Sequence, residues 1–363
     1  MGFRCGIIGL PNVGKSTIFN ALTAAGAQVA NYPFCTIDPN VGIVRVPDPR
    51  LELIAGVIHP PKKTYTTMEF FDIAGLVKGA SRGEGLGNKF LGHIRDVEAL
   101  IHVVRCFENP DVAHVSGKVD PAGDIEIVNT ELLLADLETV ERRLEKSEKQ
   151  LRQGDKTAAG EVHTLHMLKE QLGRGVPARA GVWENEMDNL KDLNLLTAKR
   201  VLYVANVSES VLKAGNGYIG KVEEYAAREQ SRVVVICGDL EAEIAELPEE
   251  ERKAFLEDLG LEESGLEKLI RTGYELLGLI TFYTTVGPEL RAWTVRQGTR
   301  APSAAGKIHS DMERGFIRAE VLHFSDFVQA GSLAAARDKG LVRSEGKEYV
   351  IEDGDIVLFR FNV

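Results

Sequence analysis

The chain has 363 residues, is 44% apolar and carries a net charge of −11. That length suggests two or three domains, and the apolar fraction supports real cores and argues against disorder. Acidity of this size argues against indiscriminate nucleic-acid binding. It is unevenly placed, with −8 in residues 200–280 and 0 in residues 281–363, so a neutral C-terminal module remains open to a local basic surface.

The cysteines, Cys5, Cys35, Cys106 and Cys237, form no C-x-x-C pair, so neither a zinc site nor a disulfide framework is indicated. Three of them sit in or beside apolar runs and are expected as buried thiols. No stretch approaches the roughly 20 apolar residues of a membrane helix. The first apolar run is too short for a signal peptide. A cytoplasmic protein with no membrane role is expected.

The first elements are a short apolar strand, Cys5 to Ile8, and a helix-like segment, Thr17 to Thr23. Between them Gly9-Leu10-Pro11-Asn12-Val13-Gly14-Lys15-Ser16-Thr17 fits G-x-x-x-x-G-K-[ST] in full. Strand, glycine loop and helix are the context of a phosphate-binding loop. Gly9 and Gly14 let the backbone curl tightly. The N–H groups of Asn12, Val13, Gly14, Lys15, Ser16 and Thr17 then cradle anionic oxygens at a helix N-terminus. Lys15 is placed to neutralise the β- and γ-phosphates, and the Ser16 hydroxyl to ligate Mg²⁺. The alternative, a plain glycine turn before a buried helix, is set aside because motif and context agree.

Further strands are expected at 41–46, 67–72 and 99–104, the last a continuous apolar run as in a strand covered on both faces. Alternation with helices predicts a doubly wound, mainly parallel α/β domain with ligands at the C-terminal strand ends. Asp72-Ile73-Ala74-Gly75 ends the third strand, 57 residues after Lys15. There Asp72 would support the Mg²⁺ shell and the Gly75 N–H would meet a γ-phosphate. Thr36, in the loop of residues 31–39, is a candidate second hydroxyl for Mg²⁺, and the glycine-rich 78–88 a candidate second switch.

In residues 129–152, Leu133, Leu137, Val140, Leu144 and Leu151 form a helical stripe with charges between them. A turn at 152–155 and a second stripe, Val162, Leu165, Leu168 and Leu172, predict an antiparallel helical hairpin inserted in the α/β domain. Strands resume at 199–206 and 231–237. The domains expected are therefore 1–128 plus 200–280, a helical insert at 129–199, and a C-terminal domain at 281–363.

Asn206-Val207-Ser208-Glu209 follows the 199–206 strand, where GTPases usually carry N-K-x-D. The Asp there accepts from guanine N1–H and N2–H₂. Here the acid is Glu209, one methylene longer, and Val207 replaces the Lys. Adenine has no 2-amino group and would leave a guanine-specific carboxylate unpaired, which is costly. Loss of the short Asp removes that discrimination. ATP binding at least as strong as GTP binding is expected, with Asn206, Val207 and Glu209 as the base-side residues.

The phosphate loop at 9–17, Asn206-Val207-Ser208-Glu209, the helical insert and the tail Gly354 to Val363 together resemble the YchF / Obg-like ATPase family, over essentially the whole chain. The resemblance implies a P-loop nucleotide-binding domain, a coiled-coil insert and a C-terminal TGS domain of β-grasp fold. It also implies ribosome association, through the large subunit or the 70S particle, and hydrolysis of ATP in preference to GTP. Leu76 stands where Ras-like GTPases have a water-orienting Gln, so intrinsic hydrolysis should be slow. By the same resemblance Asn12 is a candidate K⁺ ligand, and the loop Asn109 to Val115 resembles the family's mobile loop, with His114 a candidate catalytic group beside Lys15. His102, inside an apolar strand, is expected as a satisfied core histidine.

The function expected is a ribosome-associated, nucleotide-dependent switch that hydrolyses ATP with Mg²⁺, acting as a monomer and contacting RNA through its TGS and helical domains. The alternatives are a GTP-specific GTPase, and a ribosome- or RNA-binding factor for which nucleotide is only an allosteric ligand.

Overall fold

The computed structural model describes residues 3–26, 40–73, 86–112, 114, 117–180 and 188–362. In chain order, its first elements are β1 (Phe3–Ile8), α1 (Lys15–Gly26), β2 (Val41–Arg45), α2 (Pro49–Ile58), β3 (Lys62–Thr64), β4 (Thr67–Asp72), α3 (Leu86–Arg95) and β5 (Ala99–Arg105). The hairpin α4 (Pro121–Arg152) and α5 (Ala158–Gly173) follows. Next come β6 (Arg200–Asn206), α6 (Glu209–Ala214), α7 (Gly217–Arg228), β7 (Arg232–Ile236), α8 (Gly238–Glu246), α9 (Glu249–Leu259) and α10 (Gly265–Leu276). The last third holds β8 (Leu279–Thr284), β9 (Glu289–Arg296), α11 (Ala301–Ile308), α12 (Ser310–Arg314), β10 (Phe316–Leu322), α13 (Phe324–Ala330), α14 (Leu333–Asp338), β11 (Arg343–Glu345) and β12 (Ile356–Phe361). None of the described helices is long and apolar enough to cross a membrane.

The chain divides into two compact units, 1–44 with 69–269, and 45–68 with 270–363. The first is built on a sheet of order β2-β4-β1-β5-β6-β7. Strands β1, β5, β6 and β7 run parallel, in a register that sets Ile8 beside His102, Arg105 beside Asn206, and Asn206 beside Ile236. Every residue of β5 is buried, as its unbroken apolar run requires of a strand covered on both faces. The register therefore brings the polar residues that end β5 and β6 to one edge.

The hairpin forms as the stripes predict: Leu133, Val140 and Leu144 of α4 pack with Leu165, Leu168 and Leu172 of α5. Leu151 is only half-buried. The first arm starts at Pro121 rather than 129. Proline suits the first helical turn, and Ile125, Val128 and Leu132 give the turns before residue 133 an apolar face to bury.

The second unit holds a mixed sheet of order β11-β10-β12-β8-β9-β3. Side chains of β8 alternate between its faces. Phe282 joins Val295, Phe316 and Phe359 under α11, while Tyr283 joins Leu290, Phe327 and Ile356 on the other side. That second face is covered by Leu51 and Ile54 of α2. Residues 45–68, placed with the nucleotide-binding domain from sequence, thus belong to this unit. Strand β3 pairs in parallel with β9, and Arg50 bridges Asp48 and Asp353 at 2.9 and 2.8 Å. Nothing local in an amphipathic helix says which core its apolar face will join.

Candidate nucleotide-binding site

The phosphate loop leaves β1 at Gly9, whose φ is +147°. A Cβ there would lie 2.4 Å from the Val103 carbonyl oxygen, so a side chain is excluded. Asn12 adopts the left-handed region at φ +61°, and Gly14 has φ +92°. Lys15 opens α1 and is buried, and its Nζ donates to the Leu10 carbonyl at 2.6 Å. Burial pushes its ammonium down to about 8, against the attraction of Asp72.

Asp72 ends β4. Its Oδ2 accepts from Ser16 Oγ at 3.5 Å, and its Oδ1 is buried with no hydrogen-bond partner. Desolvation pushes this carboxyl up, and Lys15 and Ser16 pull it back. A buried, unsatisfied carboxylate oxygen beside a serine hydroxyl is the donor set a hard divalent cation takes, so these residues fit Mg²⁺. Thr36, Gly75 and Leu76, and the 31–39 and 78–85 loop residues, lie outside the described residues.

Asn206 is buried, and both ends of its amide are committed. Nδ2 donates to the Val13 carbonyl at 2.9 Å, and Oδ1 accepts from the Gly238 N–H at 3.0 Å. It therefore ties the phosphate loop to the start of α8. Val207 and Ser208 line the same cleft. Glu209 does not: it begins α6, is exposed, and borders a neighbouring hollow with Leu212, Lys213, Leu240 and Leu259.

The cleft has a volume of ≈430 Å³ and three walls. One is the phosphate loop, from Asn12 to Thr17, and another is Asn206, Val207, Ser208 and Asp239. The third, Phe107, Glu108, Asn109 and Val112, is the segment after β5; Asn109 and Val112 belong to the loop that the family resemblance singles out, whereas Phe107 and Glu108 do not. For Phe107 and Glu108 the sequence signal is the aromatic at the end of an apolar strand.

His114 lies just beyond this segment but does not line the cleft. Its Nε2 is 2.9 Å from Asp124 Oδ2, and both side chains are buried. Asp124 is pushed up by desolvation and pulled down chiefly by His114, with Arg105 contributing. His102 is a core histidine but not a satisfied one. Its Nδ1 has no hydrogen-bond partner, its ring lies against Tyr203 at 5.4 Å, and burial lowers it to about 3, so it is neutral. Cys5, Cys106 and Cys237 are buried and free, and Cys35 lies outside the described residues.

Residues 4–153, which include the phosphate loop and Asp72, match the family described as 50S ribosome-binding GTPase. Residues 279–362 match YchF-GTPase_C, described as a protein of unknown function. A Bacillus subtilis protein named ribosome-binding ATPase YchF is 56% identical, with both chains fully covered. The chain belongs to the YchF family. A YchF of Haemophilus influenzae under the same name is 52% identical, again over the full length of both chains. The solved structure of the Schizosaccharomyces pombe YchF GTPase is 39% identical, with a TM-score of 0.90, and the match covers 99% of this chain and 98% of that one. The YchF architecture thus extends over the P-loop α/β unit, its helical hairpin and the C-terminal sheet. Within it, the strand-end cleft is where a P-loop NTPase holds its nucleotide.

Proposed function

We propose that this protein is a ribosome-associated switch that binds ATP in the strand-end cleft and hydrolyses it to ADP and phosphate. The observation that carries this reading is the meeting of Lys15, Ser16 and Asp72 at the mouth of the phosphate loop, with one carboxylate oxygen of Asp72 buried and unsatisfied. Lys15 neutralises the β- and γ-phosphates, and the N–H groups of 12–17 cradle them. Ser16, Asp72 and Thr36 would hold Mg²⁺, which when bound supplies a Lewis acid for the phosphate charge. Gly75 meets the γ-phosphate. Asn12 would hold K⁺, and His114 would orient the attacking water once it leaves Asp124. The names of the Bacillus and Haemophilus relatives support ATP as substrate and the ribosome, large subunit or 70S, as partner.

Glu209, in place of the short acid of N-K-x-D, favours adenine over a strict guanine choice; it lies outside the cleft, whose own carboxylates are Asp239 and Glu108. The second reading, a GTPase, draws on the name of the fission-yeast relative. Competitive titration with ATP and GTP separates the two, and a hundredfold preference for GTP would reject the first.

The helix α11 against the mixed sheet of β8 to β12 supports a TGS-type β-grasp in the second unit, near residues 281–363. In this reading the protein is a cytoplasmic monomer. The sheet and the hairpin insert of 129–199 each contact ribosomal RNA, and ribosome affinity changes with nucleotide state. Turnover of ATP and GTP in Na⁺ and K⁺, with and without ribosomes, tests substrate, cation and partner together. Ribosome affinity that is equal with ATP, with ADP and without nucleotide would defeat the switch.

A further inference from the structure

Arg105 closes β5 and is 2% exposed. Its Nε donates to the Phe107 carbonyl at 3.1 Å, Nη2 to the Asn109 carbonyl at 3.2 Å, and Nη1 to the Val112 carbonyl at 3.0 Å. The guanidinium also lies over the Phe107 ring, 4.7 Å from its centroid. These acceptors are main-chain oxygens of one short loop, and that loop is a wall of the cleft. A buried charge held this way fixes the path of the loop, whatever side chains the loop carries. Only a planar fork of N–H donors reaches three carbonyls spread over six residues.

The neighbouring strand repeats the arrangement. Asn206 stands beside Arg105 in the sheet register and fixes the phosphate loop through Val13. Each of two adjacent strand ends therefore commits one buried polar side chain to the backbone of one cleft wall. We infer that Arg105 is a positioning residue for the nucleotide site: it holds the 107–112 wall in place, and so sets the affinity for the nucleotide and the discrimination between its bases.

The inference rests on the cleft being the nucleotide site, so Lys15→Ala is assayed beside Arg105→Lys and Arg105→Gln in the full chain. Arg105→Lys keeps the charge and loses the fork. It is expected to raise KM for ATP about tenfold or more, to alter the ATP-to-GTP ratio of KM, and to leave kcat within about threefold of the parent. A role in folding alone lowers the melting temperature and the active fraction but leaves KM and the base ratio unchanged, and that result overturns the inference. Lys15→Ala is expected to lose ATP binding. If it binds ATP normally, the site reading fails; if it does not, while Arg105→Lys matches the parent, only the role of Arg105 falls. Hydrogen exchange on the unsubstituted protein serves if the variants do not fold. Slow exchange of the Asp111 and Val112 amides before nucleotide is added supports a preset wall, and fast exchange there overturns it.

Discussion

Asn206 donates its Nδ2–H to the Val13 carbonyl at 2.9 Å, across 193 positions of sequence. The same Nδ2 would lie 2.1 Å from a Cβ at position 14. The residue whose motif points to the base thus also sets the backbone around the phosphates. Asn206→Ala strands a buried carbonyl at Val13 and a buried N–H at Gly238. A loss of about 2–4 kcal/mol is expected in denaturant unfolding, together with weaker nucleotide binding. Unchanged stability would mean that the loop holds its shape without this contact.

Gly14→Ala tests the loop from the other side. The φ of +92° is unfavourable for any residue with a Cβ, and the new methyl group meets the Asn206 amide. Isothermal titration with ATP should show affinity down by about a hundredfold or more, because the N–H groups no longer converge. Far-UV circular dichroism should stay near that of the parent, since the strain is confined to one turn.

Lys15 gives a pH dependence with a definite sign. Its pKa without nucleotide is lowered by burial to about 8, below the roughly 10.4 of a solvated lysine. The phosphates need the ammonium form, so ATP affinity should be level below pH 8 and should fall as pH rises above it, by up to about tenfold per unit. Stability runs the other way. The charged amine is disfavoured in the fold, so its cost is full below about 8 and is relieved between about 8 and 10.4, where the unfolded chain holds the extra proton. Titrations from pH 7 to 9.5 should show the fall in affinity, and Lys15→Met should flatten it.

What the sequence shows and what it hides divide on locality. The phosphate loop, Asp72 and the hairpin stripes are legible because each is a short pattern whose chemistry or period is local. The destination of α2 is not, because Leu51 and Ile54 would suit any apolar face and find theirs beside Tyr283 and Leu290. Arg105 is hidden for another reason. Its acceptors are backbone carbonyls, which every residue carries, so no side-chain pattern announces the contact. The pairing of His114 with Asp124 is invisible as well: ten residues separate the two, with no helical spacing to join them.

That pairing gives the last prediction. Nε2 of His114 lies 2.9 Å from a buried carboxylate oxygen, and the side chain does not line the cleft. If His114 orients the attacking water, it must first leave Asp124, so the pair opposes turnover in the free protein. His114→Ala is then expected to lower kcat by about a hundredfold or more, with little change in ATP affinity. Asp124→Asn removes the charge while keeping the shape, and should release His114 and raise basal turnover in the absence of ribosomes. If Asp124 instead holds His114 in its working orientation, Asp124→Asn will lower kcat as His114→Ala does. Single-turnover hydrolysis of ATP by the two variants therefore decides whether the pair is a restraint or a support.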